Sequence, residues 1–207
     1  MTRISKRTNQ ILRQLSSVEV FLTGFLLLVL CFAGCKSNED PSDAPVVSAP
    51  PPGTTYPMPP INGKSLTKMG WNLGNGKREI FGNFKGQVLI LDFYATWCEP
   101  CRNSIPHLVQ LQQKYQKQGL QVVGLNVGGP EDLDKIPGFA QEFKIQYPLG
   151  VPDDDLDNFL LSDNSDIPQT FIFDRHGTLT KRFVGFGDST GEAIDEAVVS
   201  ALGKSSE

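Results

Sequence analysis

Two cysteines separated by two residues stand in Trp97-Cys98-Glu99-Pro100-Cys101, close behind the uninterrupted run Val88-Leu89-Ile90-Leu91-Asp92-Phe93-Tyr94. An apolar run without alternation suits a strand covered on both faces. After the cysteines, Ile105, Leu108, Val109, Leu111 and Tyr115 recur with a helical period that Gly119 closes. The pair therefore opens a helix, where backbone N–H groups and the helix dipole stabilise a thiolate at the first sulfur. That makes Cys98 the nucleophile. Cys101, one turn on, is placed to attack a mixed disulfide formed on Cys98. Pro100 fixes the first helical turn without needing an N–H. Glu99 adds a negative charge beside the nucleophile and modestly disfavours its thiolate. A higher thiol pKa goes with a more reducing couple, nearer roughly −270 mV than the roughly −120 mV of a strong dithiol oxidant. Trp97 reads as a hydrophobic lid over the sulfurs or as ordinary packing.

Asp92 is the anomaly inside the strand. A carboxylate among apolar side chains costs several kcal/mol when charged, so its pKa rises and it is protonated part of the time. Such a group can serve as general base for Cys101; the alternative is an Asp that reaches solvent at a strand edge. His107 falls on the helix and His176 in a turn, and both read as structural.

The elements that must position these residues alternate. Leu120 to Val127 is a second short β-rich run, so strand, helix and strand make a right-handed parallel βαβ unit. Glu131 to Phe143 reads as helix, with Pro137 as an alternative start. Tyr147 to Val151 reads as a strand and Asp155 to Leu161 as a short helix. Gln169–Asp174, the turn Arg175-His176-Gly177 and Thr178–Val184 form a hairpin. Ser189 is a candidate N-cap for a last helix ending near Leu202. Residues 61–87 place Gly74, Gly76, Gly82 and Gly86 among short apolar pieces and suggest a small β element ahead of the core.

Upstream, Arg3, Lys6, Arg7 and Arg13 precede fifteen uncharged residues, Val20 to Gly34. At about 1.5 Å per residue that helix is short of a membrane span and reads as a secretory h-region. Phe32-Ala33-Gly34-Cys35 resembles the lipobox of bacterial lipoproteins, which implies acylation of Cys35. The alternative is an uncleaved signal anchor, and both put the rest of the chain outside the cytoplasm, attached to a membrane. Eight of the fifteen prolines then fall between Lys36 and Pro60, a tether too poor in apolar side chains to fold. The domain boundaries expected are 1–35, 36–63 and 64–207.

The 207 residues are 39% hydrophobic and 20% charged, enough for one ordinary domain with a core. Four cysteines are too few for a disulfide-stapled scaffold. Residues 36–207 hold 15 basic against 22 acidic side chains, and no basic run follows Arg13. That excludes nucleic acid as a partner.

The segment Asp92-Phe93-Tyr94-Ala95-Thr96-Trp97-Cys98-Glu99-Pro100-Cys101, followed by Ile167-Pro168-Gln169-Thr170-Phe171-Ile172-Phe173-Asp174-Arg175-His176-Gly177, resembles the thioredoxin superfamily, and within it the membrane-attached TlpA/ResA-like thiol:disulfide oxidoreductases. The likeness spans roughly residues 64–203. It implies an α/β thioredoxin fold, a central mixed sheet flanked by helices, with an N-terminal β extension and a βα insertion before the proline. It implies that Ile167-Pro168 is a cis peptide facing the cysteines, with the Ile167 backbone free to bind an extended substrate. It implies a proton relay through Asp92, the position an Asp holds in thioredoxins proper; many TlpA/ResA-like members instead carry Glu where Ser104 stands, and Ser104 is expected to take no part. No cofactor is expected beyond a redox-active Cys98–Cys101 disulfide, and no metal. The implied partners are disulfide-bearing exported proteins such as apocytochrome c, and a membrane thiol reductant. Two other classes compete: a peroxiredoxin-like peroxidase, which would want a lone thiolate with Thr and Arg around it, and a Cu/Zn-binding thiol protein, for which two sulfurs are half of a tetrahedral site.

Overall fold

The computed structural model describes residues 66–203. The signal-like segment, Cys35 and the Pro-rich tether lie outside the described residues. Seven strands form one mixed sheet: β1 (Gly70–Leu73), β2 (Arg78–Ile80), β3 (Val88–Tyr94), β4 (Leu120–Asn126), β5 (Leu149–Pro152), β6 (Gln169–Phe173) and β7 (Leu179–Val184), in the order β2-β1-β5-β4-β3-β6-β7. Among the described residues four α-helices accompany them: α1 (Glu99–Tyr115), α2 (Ile136–Glu142), α3 (Asp154–Leu161) and α4 (Asp188–Gly203).

β3 lies parallel to β4 and antiparallel to β6, and all seven of its residues are buried. Its alternate side chains go to two different cores, as strand geometry requires. Val88, Ile90 and Tyr94 pack with Cys98, Cys101, α1, α4 and Phe139 of α2. Leu89, Leu91 and Phe93 pack with Trp71, Phe81, Leu156 and Leu160. Asp92 has the parity of the first set and therefore faces the layer that carries the cysteines. Because β3 is central and Asp92 is fully buried, the reading of Asp92 as an edge residue reaching solvent does not hold.

Most expected elements are present, with shifted ends. Helix α1 gives way to a 3-10 turn, Gln116–Gln118, and Gly119 closes it at φ +90°. The segment expected as one helix over 131–143 divides into a 3-10 helix, Pro130–Lys135, and α2. Pro137 lies in the first turn of α2, where its missing N–H costs nothing. The strand expected at 147–151 begins two residues later and ends one later, and Tyr147 is drawn into the first core. Helix α4 begins one residue before Ser189. The small β element before the core is the β1–β2 pair, and β1 joins the sheet antiparallel to β5.

The β1–β2 pair is close-packed through a glycine. A Cβ on Gly70 would lie 2.0 Å from the Glu79 carbonyl oxygen, which is backbone and cannot yield. Gly70→Ala is expected to cost about 2 kcal/mol and to lower Tm by roughly 5–10 °C. An unchanged melting curve would mean that the two strands do not meet this closely.

Candidate active site

The turn between β3 and α1 brings the two sulfurs together. Cys98 is the N-cap of α1, in an extended conformation (φ −80°, ψ 108°), and the Cys101 backbone N–H donates to its Sγ at 3.3 Å. The Cys98 N–H donates to the Ala95 carbonyl at 3.2 Å, and the Arg102 N–H donates to the Cys98 carbonyl at 3.0 Å. Pro100 lies in the first turn, as expected. Cys98 and Cys101 are joined by a disulfide with an S–S distance of 2.07 Å. Cys98 keeps 5% of its surface exposed and Cys101 none, so an incoming sulfur can reach only Cys98.

Across from the pair, Ile167-Pro168 is a cis peptide, and the Ile167 carbonyl oxygen lies 3.7 Å from Cys98 Sγ. In the reduced form that oxygen can accept the Cys98 S–H. The segment leading to Pro168 is fastened from beneath by a buried cation. Arg182 of β7 donates from Nε to Gln169 Oε1 at 2.9 Å and from Nη1 to Asp163 Oδ2 at 2.7 Å, and its guanidinium lies over the Phe171 ring. Gln169 in turn donates from Nε2 to the Asn164 carbonyl at 2.7 Å. Arg182, Gln169 and Asp163 were not singled out from the sequence, where a basic residue in a hairpin strand carries no sign that it turns inward.

Asp92 is enclosed. Its Oδ1 accepts the Thr170 hydroxyl at 2.9 Å, and Oδ2 has no partner. Its register neighbour on β4 is Gly124, which adds no charge. Burial pushes the carboxyl up to about 7, against a smaller opposing effect of the Thr170 hydrogen bond. Tyr147, buried beside it, is pushed up by burial first and by the Asp92 charge second. Ser104 is buried, but its hydroxyl donates to the Cys101 carbonyl at 2.9 Å. His107 Nε2 is 3.1 Å from Asp195 Oδ1, linking α1 to α4, and the His176 N–H donates to Asp174 in the hairpin turn. Trp97 is 63% exposed, so it is not packed into the core, and Glu99 is exposed beside it.

A carboxyl whose folded-state pKa is raised from 3.8 to about 7 lowers stability progressively as pH climbs through that interval, and by a constant amount above it. Asp92→Asn is therefore expected to melt higher than the wild type at pH 8, with the gap closing as pH falls to 4. Thermal melts at the two pH values check this, and a gap independent of pH would contradict the buried carboxyl.

Comparison with known proteins agrees with this geometry. The AhpC/TSA family matches residues 66–182. The chain is 27% identical over 173 residues to the thiol-disulfide oxidoreductase ResA of Bacillus subtilis, covering 79% of this chain and 83% of that one. It is 31% identical over 112 residues to the ResA of Geobacillus thermodenitrificans, covering 53% of this chain and 62% of the relative. A thiol:disulfide interchange protein of the thioredoxin family from Chlorobium tepidum aligns in structure with a TM-score of 0.56 at 27% identity, over 66% of this chain and 95% of the other. The thioredoxin domain of a thiol-disulfide oxidoreductase from Bacteroides vulgatus, at 20% identity, shares the fold with a TM-score of 0.52, over 72% of this chain and 99% of the other. With a cysteine pair at a helix start facing a cis-proline, the chain belongs to the AhpC/TSA family of the thioredoxin superfamily, as a thiol-disulfide oxidoreductase of the TlpA/ResA-like kind.

Proposed function

We propose that this oxidoreductase works outside the cytoplasm as a dithiol reductase, held to a membrane by lipid on Cys35, and reduces disulfides of exported proteins such as apocytochrome c. The observation that carries the reading is the asymmetry of the pair: Cys98 has the exposed sulfur and caps α1, whereas Cys101 is sealed. The Cys98 thiolate attacks one sulfur of the substrate disulfide; a mixed disulfide forms and the other substrate sulfur leaves as thiolate. Cys101 gives its proton to Asp92 and attacks Cys98 Sγ, which releases the second substrate thiolate. Two electrons pass from the protein to the substrate, and Cys98 and Cys101 end as a disulfide. A membrane thiol reductant restores the dithiol. The Ile167 backbone, beside Cys98 Sγ, holds the substrate chain in extended form.

An Asp92 that titrates near 7 is matched to this proton transfer, since a general base works best with its pKa near the working pH. The family's name also keeps a peroxidase reading in view. Its chemistry wants a thiolate that stands alone until peroxide arrives, and here Cys101 is within bonding distance of Cys98.

Cys98→Ser is expected to lower disulfide reduction by at least ~10³-fold. Cys101→Ser is expected to accumulate a mixed disulfide on Cys98, read by mass spectrometry. Asp92→Asn should slow the second step by about 10²-fold. Equilibration with glutathione should give a potential below about −180 mV. A clearly higher potential would sink the reductant reading, and peroxide turnover at comparable rates would favour the peroxidase.

A further inference from the structure

Thr96 lies in the turn between β3 and α1, two residues before Cys98, and belongs to no strand or helix. All three of its polar groups are nevertheless taken. Its N–H donates to Asp132 Oδ2 at 2.8 Å, its hydroxyl donates to Asp132 Oδ1, and its carbonyl accepts from Arg102 Nη1 at 3.2 Å. Asp132 comes from the 3-10 helix after β4 and is fully buried. Its remaining contacts are the Asn126 amide, which donates to Oδ2 at 2.8 Å, and Lys135 Nζ, 3.5 Å from Oδ1. Burial would raise its pKa, but these donors outweigh that and hold the carboxyl below its ordinary value. The chain makes room for it: a Cβ on Gly128 would lie 2.4 Å from Asp132 Oδ2.

Arg102 is equally committed. It follows Cys101 directly, pairs with Glu142 of α2, and lies over the rings of Phe143 and Phe139 at 4.9 and 5.6 Å. The segment connecting β4 to β5 thus reaches the cysteine turn twice, directly through Asp132 and through Arg102.

We propose that Asp132 and Arg102 are positioning residues for Cys98: between them they fix the Thr96 turn so that Cys98 Sγ meets the Cys101 N–H at the start of α1. For its effect on turnover this rests on Cys98 being the exchanging thiol. The reactivity of Cys98 toward an alkylating agent is independent of that reading.

The test uses the full chain, reduced, and follows alkylation of Cys98 by iodoacetamide against pH. Removing the Asp132 anion by Asp132→Asn would, through charge alone, favour the thiolate and move the midpoint down. Release of the turn moves it up. The expected result is an upward midpoint and alkylation about fivefold slower at pH 7, the size of one lost hydrogen bond. Thr96→Val removes the hydroxyl donor without changing charge and should behave the same way. Thr96→Ser keeps the donor and should match the wild type. The Asp132→Asn/Thr96→Val double variant should be no slower than the slower single one, because both break one contact.

A downward or unchanged midpoint in folded Asp132→Asn, or a folded Thr96→Val with wild-type reactivity, would overturn the proposal. If Asp132→Asn loses its cooperative melt, Thr96→Val decides. Failure of the wild type to reduce insulin disulfides would instead count against the functional reading and leave this result standing.

Discussion

At the start of α1 a single contact answers two needs. A helix leaves its first N–H groups without intrahelical partners, and a thiolate is stable only where donors face it. The Cys101 N–H directed at Cys98 Sγ satisfies one orphan donor and supplies one donor to the sulfur. An ordinary N-cap would use the oxygen of Ser, Thr, Asp or Asn. Sulfur accepts hydrogen bonds poorly while neutral and well as an anion, so the cap is strongest in the state that reacts. The helix terminus therefore favours the nucleophilic form, and much of the surrounding architecture serves to deliver residue 98 to this point. Strand β3, central and covered on both faces, brings the chain up rigidly. Pro100 keeps the first turn free of an N–H that would compete.

Asp92 shows what this arrangement costs. Placing a carboxyl in the middle strand with one hydrogen-bond donor and one oxygen unpartnered removes several kcal/mol when the group is charged, from a total stability of about 5–15 kcal/mol. No packing argument asks for it, since Ile90, Tyr94 and Ile172 fill the same layer with apolar or aromatic atoms. What the position offers is a titratable oxygen on the sulfur side of the sheet, out of reach of water, with a pKa about midway between those of an ordinary carboxyl and an ordinary phenol. Gly124 beside it adds no cation that would pull the value back down.

The parts of the site that were legible in the sequence are those written locally. Spacing put the cysteines at a helix start, the unbroken apolar run marked β3, and Gly119 marked the end of α1. The cis peptide at Pro168 was legible only through resemblance, because sequence-local physics favours the trans form. The residues that hold the site were not legible. Asp132 stands in Pro-Glu-Asp-Leu-Asp-Lys, which has the composition of a solvated helix start, yet its carboxyl is buried, met by Thr96 from across the fold and by Asn126 from the end of β4. Arg182 precedes Phe183 in a strand that reads as half exposed, yet both are enclosed, and the arginine is paired with residues 13 and 19 positions away. The pairing of β1 with β5 likewise has no signature in either segment.

The two walls of the site share a design. The sulfur turn is anchored on a buried anion, Asp132, and the proline segment is anchored by a buried cation, Arg182. Buried charges are weak contributors to net stability, because desolvation consumes most of what their contacts return. They are nonetheless geometrically demanding: a planar carboxylate with N–H and O–H donors, or a guanidinium between a carboxylate and an amide oxygen, is satisfied in one arrangement and expensive in any other. An apolar anchor of similar volume could hold these loops as tightly on average while letting them slide by fractions of an ångström. Thiol exchange needs three sulfurs nearly in line, so a slide of that size would show in the rate. Charge at these two points is therefore better understood as fixing where Cys98 and Ile167 stand than as fixing whether the domain folds.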